Sequence, residues 1–68
     1  MADRTYELVF YGRDGQIDSE QDYTDRETAL EALHFFDEPD SADLYSRIVL
    51  REYDWQTLTE TELKALAF

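Results

Sequence analysis

Residues 5–23 read TYELVFYGRDGQIDSEQDY, and this stretch decides the fold. Thr5–Tyr11 is rich in β-branched and aromatic residues, which is typical of a β-strand. Asp14-Gly15 follows, a dipeptide preferred in two-residue hairpin turns because both turn positions need a positive φ. The sequence therefore predicts a hairpin in which residues 16–23 form the second strand.

A two-residue turn would fix the register of this hairpin, placing Tyr11 opposite Asp18 and Glu7 opposite Asp22. Since successive side chains of a strand point to opposite faces of the sheet, the pairing also assigns each residue to a face. The predicted core set is Tyr6, Leu8, Phe10, Ile17 and Tyr23, and the predicted opposite set is Val9, Asp18, Glu20 and Asp22. A three-residue loop would shift the pairing by one position.

A helix is predicted after the hairpin. Thr24 and Glu27 match the capping box that starts many helices, and the helix is predicted to run to about Asp37, where Pro39 stops it. The apolar side of this helix carries Ala29, Ala32, Leu33 and Phe36. Its polar side carries Glu27, Glu31 and His34, and also Glu38 if the helix extends that far, and Phe35 points towards this side.

A third strand is predicted at residues 44–53, where apolar and polar residues alternate. Thr59 and Glu62 form a second capping box, which favours a short helix at residues 60–67, although alternation there leaves a fourth strand as the competing interpretation. With a right-handed crossover after the second strand, the third strand lies beside the first. We therefore predict one small α+β domain over residues 1–68. It has a β-β-α-β order, a three-stranded antiparallel sheet of order 2-1-3, one main helix on one face, and a short C-terminal helix or extended segment.

The second face of this sheet is too apolar for an ordinary solvent-facing surface. Its predicted members include Val9, Tyr11, Tyr45, Val49 and Tyr53. We expect either the C-terminal segment or a second copy of the chain to cover it, and a homodimer is therefore one hypothesis.

The charge is concentrated in one part of the chain. Residues 14–43 hold eleven acidic residues and one basic residue, Arg26, and so carry −10 of the net charge of −11. Nucleic acids and anionic lipids attract basic proteins, so direct binding to either is disfavoured and a basic protein partner is expected. No apolar run is long enough for a signal peptide or a membrane span, and there is no cysteine. These features predict a cytoplasmic protein.

The candidate partner-binding residues are the acidic residues of the second strand and the helix, with one aromatic residue. They are Asp18, Glu20, Asp22, Asp25, Glu27, Glu31, Phe35 and Glu38. Carboxylates at every second strand position recur every ~6.6 Å, close to the roughly 6.8 Å of two phosphate steps in DNA. The sharpest hypothesis is therefore a nucleic-acid mimic that blocks a nucleic-acid-binding protein.

This composition resembles the class of small acidic inhibitors that phages use against host defence enzymes. The simplest alternative is an acidic surface that only keeps the protein in solution. A homodimeric accessory protein and an antitoxin-like neutraliser of a basic toxin are the other hypotheses.

Enzymatic chemistry is not predicted. The single histidine, His34, has no cysteine or second histidine with which to ligate a transition metal, and no serine lies in a nucleophile motif. Asp18 to Asp22 resembles the start of a calcium-binding EF-hand loop, but that loop needs glycine where Tyr23 stands and glutamate where Ala29 stands. We therefore expect no catalytic residue, no metal and no cofactor.

Overall fold

A computed structural model describes residues 3–68 and contains a four-stranded antiparallel sheet with one α-helix. The elements are β1 (Arg4–Gly12), β2 (Ile17–Tyr23), α1 (Arg26–Phe35), a 3-10 helix (Pro39–Asp43), β3 (Tyr45–Asp54) and β4 (Thr59–Ala67). The strand order is β2-β1-β3-β4. The combination of an antiparallel sheet with one separate α-helix confirms the predicted α+β class. Within residues 3–68, no helix has the length and apolar character needed to cross a bilayer.

The prediction of a three-stranded sheet with a short C-terminal helix is wrong. Residues 59–67 form β4, which pairs antiparallel with β3 from Arg47–Ala67 to Asp54–Thr59. Ile48, Val49 and Leu50 in β3 are fully buried, as is typical of a central strand with a neighbour on each side. The capping signal at Thr59 is purely local, and pairing along the open edge of β3 overrides it.

The turn between β1 and β2 is a three-residue loop, not the predicted two-residue turn. Gly12 N–H donates to the carbonyl of Gln16 at 2.8 Å, and Gly15 N–H donates to the carbonyl of Gly12 at 3.0 Å. Gly15 has a φ of 83°, the left-handed conformation that closes such loops and favours glycine.

This longer loop shifts the start of the hairpin by one residue. Tyr11 pairs with Ile17, so the predicted Tyr11–Asp18 pair is wrong. A β-bulge at Asp18 then absorbs the extra residue, and the predicted pairs from Phe10–Ser19 to Tyr6–Tyr23 are confirmed. Ile17 consequently faces away from the core and is 52% exposed, which corrects its predicted core position.

The core lies between α1 and one face of the sheet. Its buried members are Leu8, Phe10, Ala29, Leu33, Ile48 and Leu50. The ring of Phe10 lies 5.0 Å from that of Phe36 and 5.2 Å from that of Tyr45, measured between centroids. Leu63 and Leu66 of β4 pack against the same cluster, so the C-terminal strand contributes to the core.

The start of α1 differs from the predicted capping box by one residue. Asp25, not Thr24, is the N-cap, and its carboxylate accepts hydrogen bonds from the backbone N–H and the hydroxyl of Thr28, each at 2.9 Å. An aspartate one residue later competes for the cap because a short carboxylate is at least as good an acceptor there as threonine. The helix ends at Phe35, two residues before the predicted end.

The sheet face opposite α1, which we call the open face, is not covered by another segment of residues 3–68. Val9 and Val49 lie on it and are fully buried, although α1 packs on the other side. The long side chains around them therefore exclude water from the two valines. The expectation that the C-terminal segment folds over this face is wrong, because β4 extends the sheet at its edge.

Candidate binding surface

The strand register places a group of carboxylates together on the open face. Glu7 of β1 lies opposite Asp22 of β2, and Val9 lies opposite Glu20. Residues directly opposite one another in an antiparallel pair lie about 4.5–5.5 Å apart at Cβ, so Glu7 and Asp22 are close neighbours. Like charges in such positions destabilise the sheet.

Glu7 is the most perturbed member of this group. Partial burial raises the pKa of its carboxyl, and the nearby carboxylates of Glu20, Glu60 and Asp22 raise it further. Because the pKa of Glu7 is higher in the folded state than in the unfolded state, ionised Glu7 lowers the free energy of unfolding at pH values above this pKa. The protein regains this stability as the pH falls through the raised pKa and Glu7 becomes protonated.

The change Glu7→Gln is therefore expected to stabilise the protein at neutral pH. The gain should shrink as the pH falls, since a protonated Glu7 no longer repels its neighbours, and it should vanish below the ordinary glutamate pKa of about 4.3. Thermal melts of both proteins across this pH range measure the effect. Asp40→Asn removes the same charge from an exposed residue of the 3-10 helix and serves as the control. A Glu7→Gln protein that melts below wild type at neutral pH would contradict this account.

Two arginines lie on the open face, and Arg51 of β3 lies opposite Glu7 of β1, but neither arginine forms an ion pair with these carboxylates within 4.0 Å. The guanidinium carbon of Arg47 lies 4.6 Å from the ring centroid of Tyr11, and Arg51 donates to the Tyr11 hydroxyl at 2.7 Å. Among residues 3–68, the ion pairs within 4.0 Å are those of Arg4 with Glu52, at 3.9 Å, and with Asp54, at 3.8 Å. The open face thus has an arginine region around Tyr11 and a carboxylate region formed by Glu7, Glu20, Asp22 and Glu60, which we call the carboxylate region below.

The bulge separates Asp18 from the other two acidic residues of β2. Asp18 has no partner in the register, and its Cβ lies 3.9 Å from the position of a Cβ built on Gly12. Gly12 is in phase with Phe10, which faces the helix. Asp18 therefore lies on the helix side of the sheet, whereas Glu20 and Asp22 lie on the open face. The regular spacing of carboxylates along β2 is thus limited to two residues instead of three.

The other predicted site residues lie on the helix side of the sheet or at its loops. Glu27 and Glu31 are exposed on α1, Phe35 at its end is 75% exposed, and Glu38 precedes the 3-10 helix. Because α1 packs against the face opposite Glu20 and Asp22, the sheet separates these residues from the carboxylate region. The predicted surface is thus divided into two parts.

Asp25, the remaining predicted site residue, has a structural role. Hydrogen bonds from the backbone N–H and the hydroxyl of Thr28 lower the pKa of its carboxyl. The stability that these hydrogen bonds to the ionised carboxylate contribute is present at neutral pH, and it is lost as the pH falls through the lowered pKa. Its oxygens are therefore already engaged in starting α1.

The predicted site lacked four residues found here: Glu7 and Glu60, which belong to the carboxylate region, and Tyr53 and Trp55, which border it. Trp55 donates its indole N–H to the hydroxyl of Thr5 at 2.8 Å, and its ring meets that of Tyr53 with centroids 4.6 Å apart. Strand alternation already placed Glu7 and Tyr53 on this face. The position of Glu60 depends on β4 being a strand, and that of Trp55 depends on the turn that precedes it.

No three histidine, cysteine, aspartate or glutamate side chains in the described part of the chain converge closely enough to hold a metal. Comparisons of the chain with models of protein families, with curated proteins and with solved structures found no match. The case for a function therefore comes from the geometry and charge of this chain alone.

Proposed function

We propose that this protein is a small, non-enzymatic interaction module that binds a basic protein partner through its acidic surface, with the carboxylate region of the open face at its centre. The observation that carries the proposal is the absence of a basic group within 4.0 Å of Glu7, Glu20 or Asp22 among residues 3–68, although two arginines lie on the same face. A partner that supplies positive charge would remove the repulsion between these carboxylates.

The overall charge supports the same conclusion. A protein of net charge −11 attracts basic surfaces from a distance and accelerates their association, an effect that salt screens. We propose that it acts in the cytoplasm, since a chain without cysteine needs no oxidising compartment.

Nucleic-acid mimicry, a homodimeric accessory role and an antitoxin-like role stay predictions. Mimicry depends on a regular row of carboxylates, and within β2 that row consists of Glu20 and Asp22 because of the bulge at Asp18. We therefore propose a basic protein surface as the ligand, and this partner need not be a nucleic-acid-binding protein.

The test begins by capturing a partner from an extract of the cells that carry the gene, and then measures the affinity of the purified pair. The double change Glu20→Gln/Asp22→Asn is expected to weaken binding about tenfold or more, because it removes two charges at the interface. Binding of the wild type should also weaken strongly as salt is raised from about 0.05 M to 0.5 M, where exposed charges are screened.

The control is Asp40→Asn/Asp43→Asn, which changes the net charge equally at the 3-10 helix. This control should stay within about twofold of wild type, since its charges lie outside the proposed contact. Equal weakening of binding by both double variants would show that only the net charge matters, and it would contradict the proposed location of the binding surface. Binding that is insensitive to salt would overturn the electrostatic proposal as a whole.

A further inference from the structure

An open depression of about 220 Å³ lies within the open face, beside the turn between β3 and β4. It is lined by Thr5, Glu7, Asp22, Tyr53, Trp55 and Glu60. Its walls therefore combine an aromatic pair with three carboxylates, one from each of the strands β1, β2 and β4.

The aromatic pair forms a corner. The rings of Tyr53 and Trp55 are inclined by 66°, with their centroids 4.6 Å apart. The hydrogen bond from the indole N–H to Thr5 holds the Trp55 ring in place and uses its only polar group. Trp55 is nevertheless 57% exposed, so a large, fixed apolar surface stands at the rim of the depression.

The carboxylates make the depression strongly anionic. Glu7 lies opposite Asp22 across β1 and β2, and Glu60 lies opposite Tyr53 across β3 and β4. None of the three has a basic group within 4.0 Å among the residues that the structure describes. Burial raises the pKa of Glu7, and the neighbouring carboxylates raise it further because they disfavour its ionised form.

We propose that this depression receives a lysine side chain of the basic partner, with the methylene stem against Tyr53 and Trp55 and the ammonium group among the carboxylates. This inference rests on the proposed function and specifies the chemical group that is recognised. Aromatic faces attract ammonium groups, and the aliphatic stem of lysine packs well on apolar surface.

The test uses a capped hexalysine peptide with the full chain, followed by NMR and by affinity measurement at low salt. The indole N–H signal of Trp55 should shift saturably as peptide is added. The change Trp55→Ala is expected to weaken binding about three- to fivefold, the loss typical of a cation–π contact at an exposed ring. Trp55→Phe retains a ring and should recover part of this affinity. Leu58→Ala, which removes another exposed apolar side chain from the same turn, should have less than about a twofold effect.

Three outcomes would overturn the lysine site. In the first, hexalysine binds and shifts the amides of Glu20 and Asp22 but leaves the Trp55 indole signal unchanged, and the proposed function then stands without this site. In the second, Trp55→Ala folds and binds hexalysine as tightly as wild type does. In the third, hexa-arginine binds at least as tightly as hexalysine with the same dependence on Trp55. The proposed function itself is judged separately, by the Glu20→Gln/Asp22→Asn comparison with the natural partner.

Discussion

Replacing Phe10 by alanine is expected to leave most of the protein unfolded at room temperature. Phe10 is 1% exposed and its ring contacts those of Phe36 and Tyr45, so the change opens a cavity in the middle of the core. Such a substitution costs about 3–5 kcal/mol. A core this small rarely contributes more than about 3–5 kcal/mol of net stability. Circular dichroism with urea titration measures the loss.

Phe35→Ala is the matched control for this prediction. Phe35 is the same residue type, but it is 75% exposed, and its removal should change the free energy of unfolding by less than about 1 kcal/mol. A Phe10→Ala protein that unfolds at the same urea concentration as Phe35→Ala would contradict the position of the core.

The second large effect is expected at the C-terminal strand. Leu66 pairs with Ile48 and packs against the core, whereas Ala67 pairs with Arg47 on the open face. Leu66→Asp should therefore destabilise the protein by about 3 kcal/mol, because it replaces a core contact with a charge. Ala67→Asp adds the same charge one residue later and should cost less than about 1 kcal/mol.

This pair of changes distinguishes a strand from a helix at residues 60–67. In a helix, Leu63, Leu66 and Ala67 would share one face, and both substitutions would then disturb the packing. Urea titrations of the two variants decide between these structures. Similar losses for Leu66→Asp and Ala67→Asp would contradict β4.

Most of the hairpin was predictable because strand alternation is a strong signal. Tyr6, Leu8 and Phe10 alternate with polar residues or with Val9, and their pairing with β2 follows from a turn near Asp14-Gly15. The details of that turn were not predictable from the dipeptide, since a glycine with positive φ serves a two-residue and a three-residue loop equally well. The bulge at Asp18 compensates for the longer loop, which is why the central pairs match a prediction based on the wrong turn.

The fourth strand was not predictable with the same certainty because two local signals compete there. Thr59 and Glu62 suit a helix start, while Thr59, Thr61 and Leu63 alternate as in a strand. The open edge of β3 decides the outcome, and this edge exists only in the folded chain. Local sequence does not contain that information.

The binding surface was predictable in its charge but not in its shape. Strand alternation placed Glu20 and Asp22 together, and the structure keeps them on one face. The helix packs on the predicted core face, opposite these two residues, and the sheet therefore separates them from Glu27 and Glu31. The contribution of Trp55 also depends on tertiary structure, because its orientation is set by the hydrogen bond to Thr5, fifty residues away in sequence.

The most direct test of the central claim is NMR mapping of the complex with the captured basic partner. If the open face is the contact surface, the signals of Glu7, Glu20, Asp22 and the Trp55 indole change on binding, while those of Glu27, Glu31 and Phe35 on the helix side stay as they are. Changes centred on the exposed side of α1, with the open face unaffected, would contradict the account.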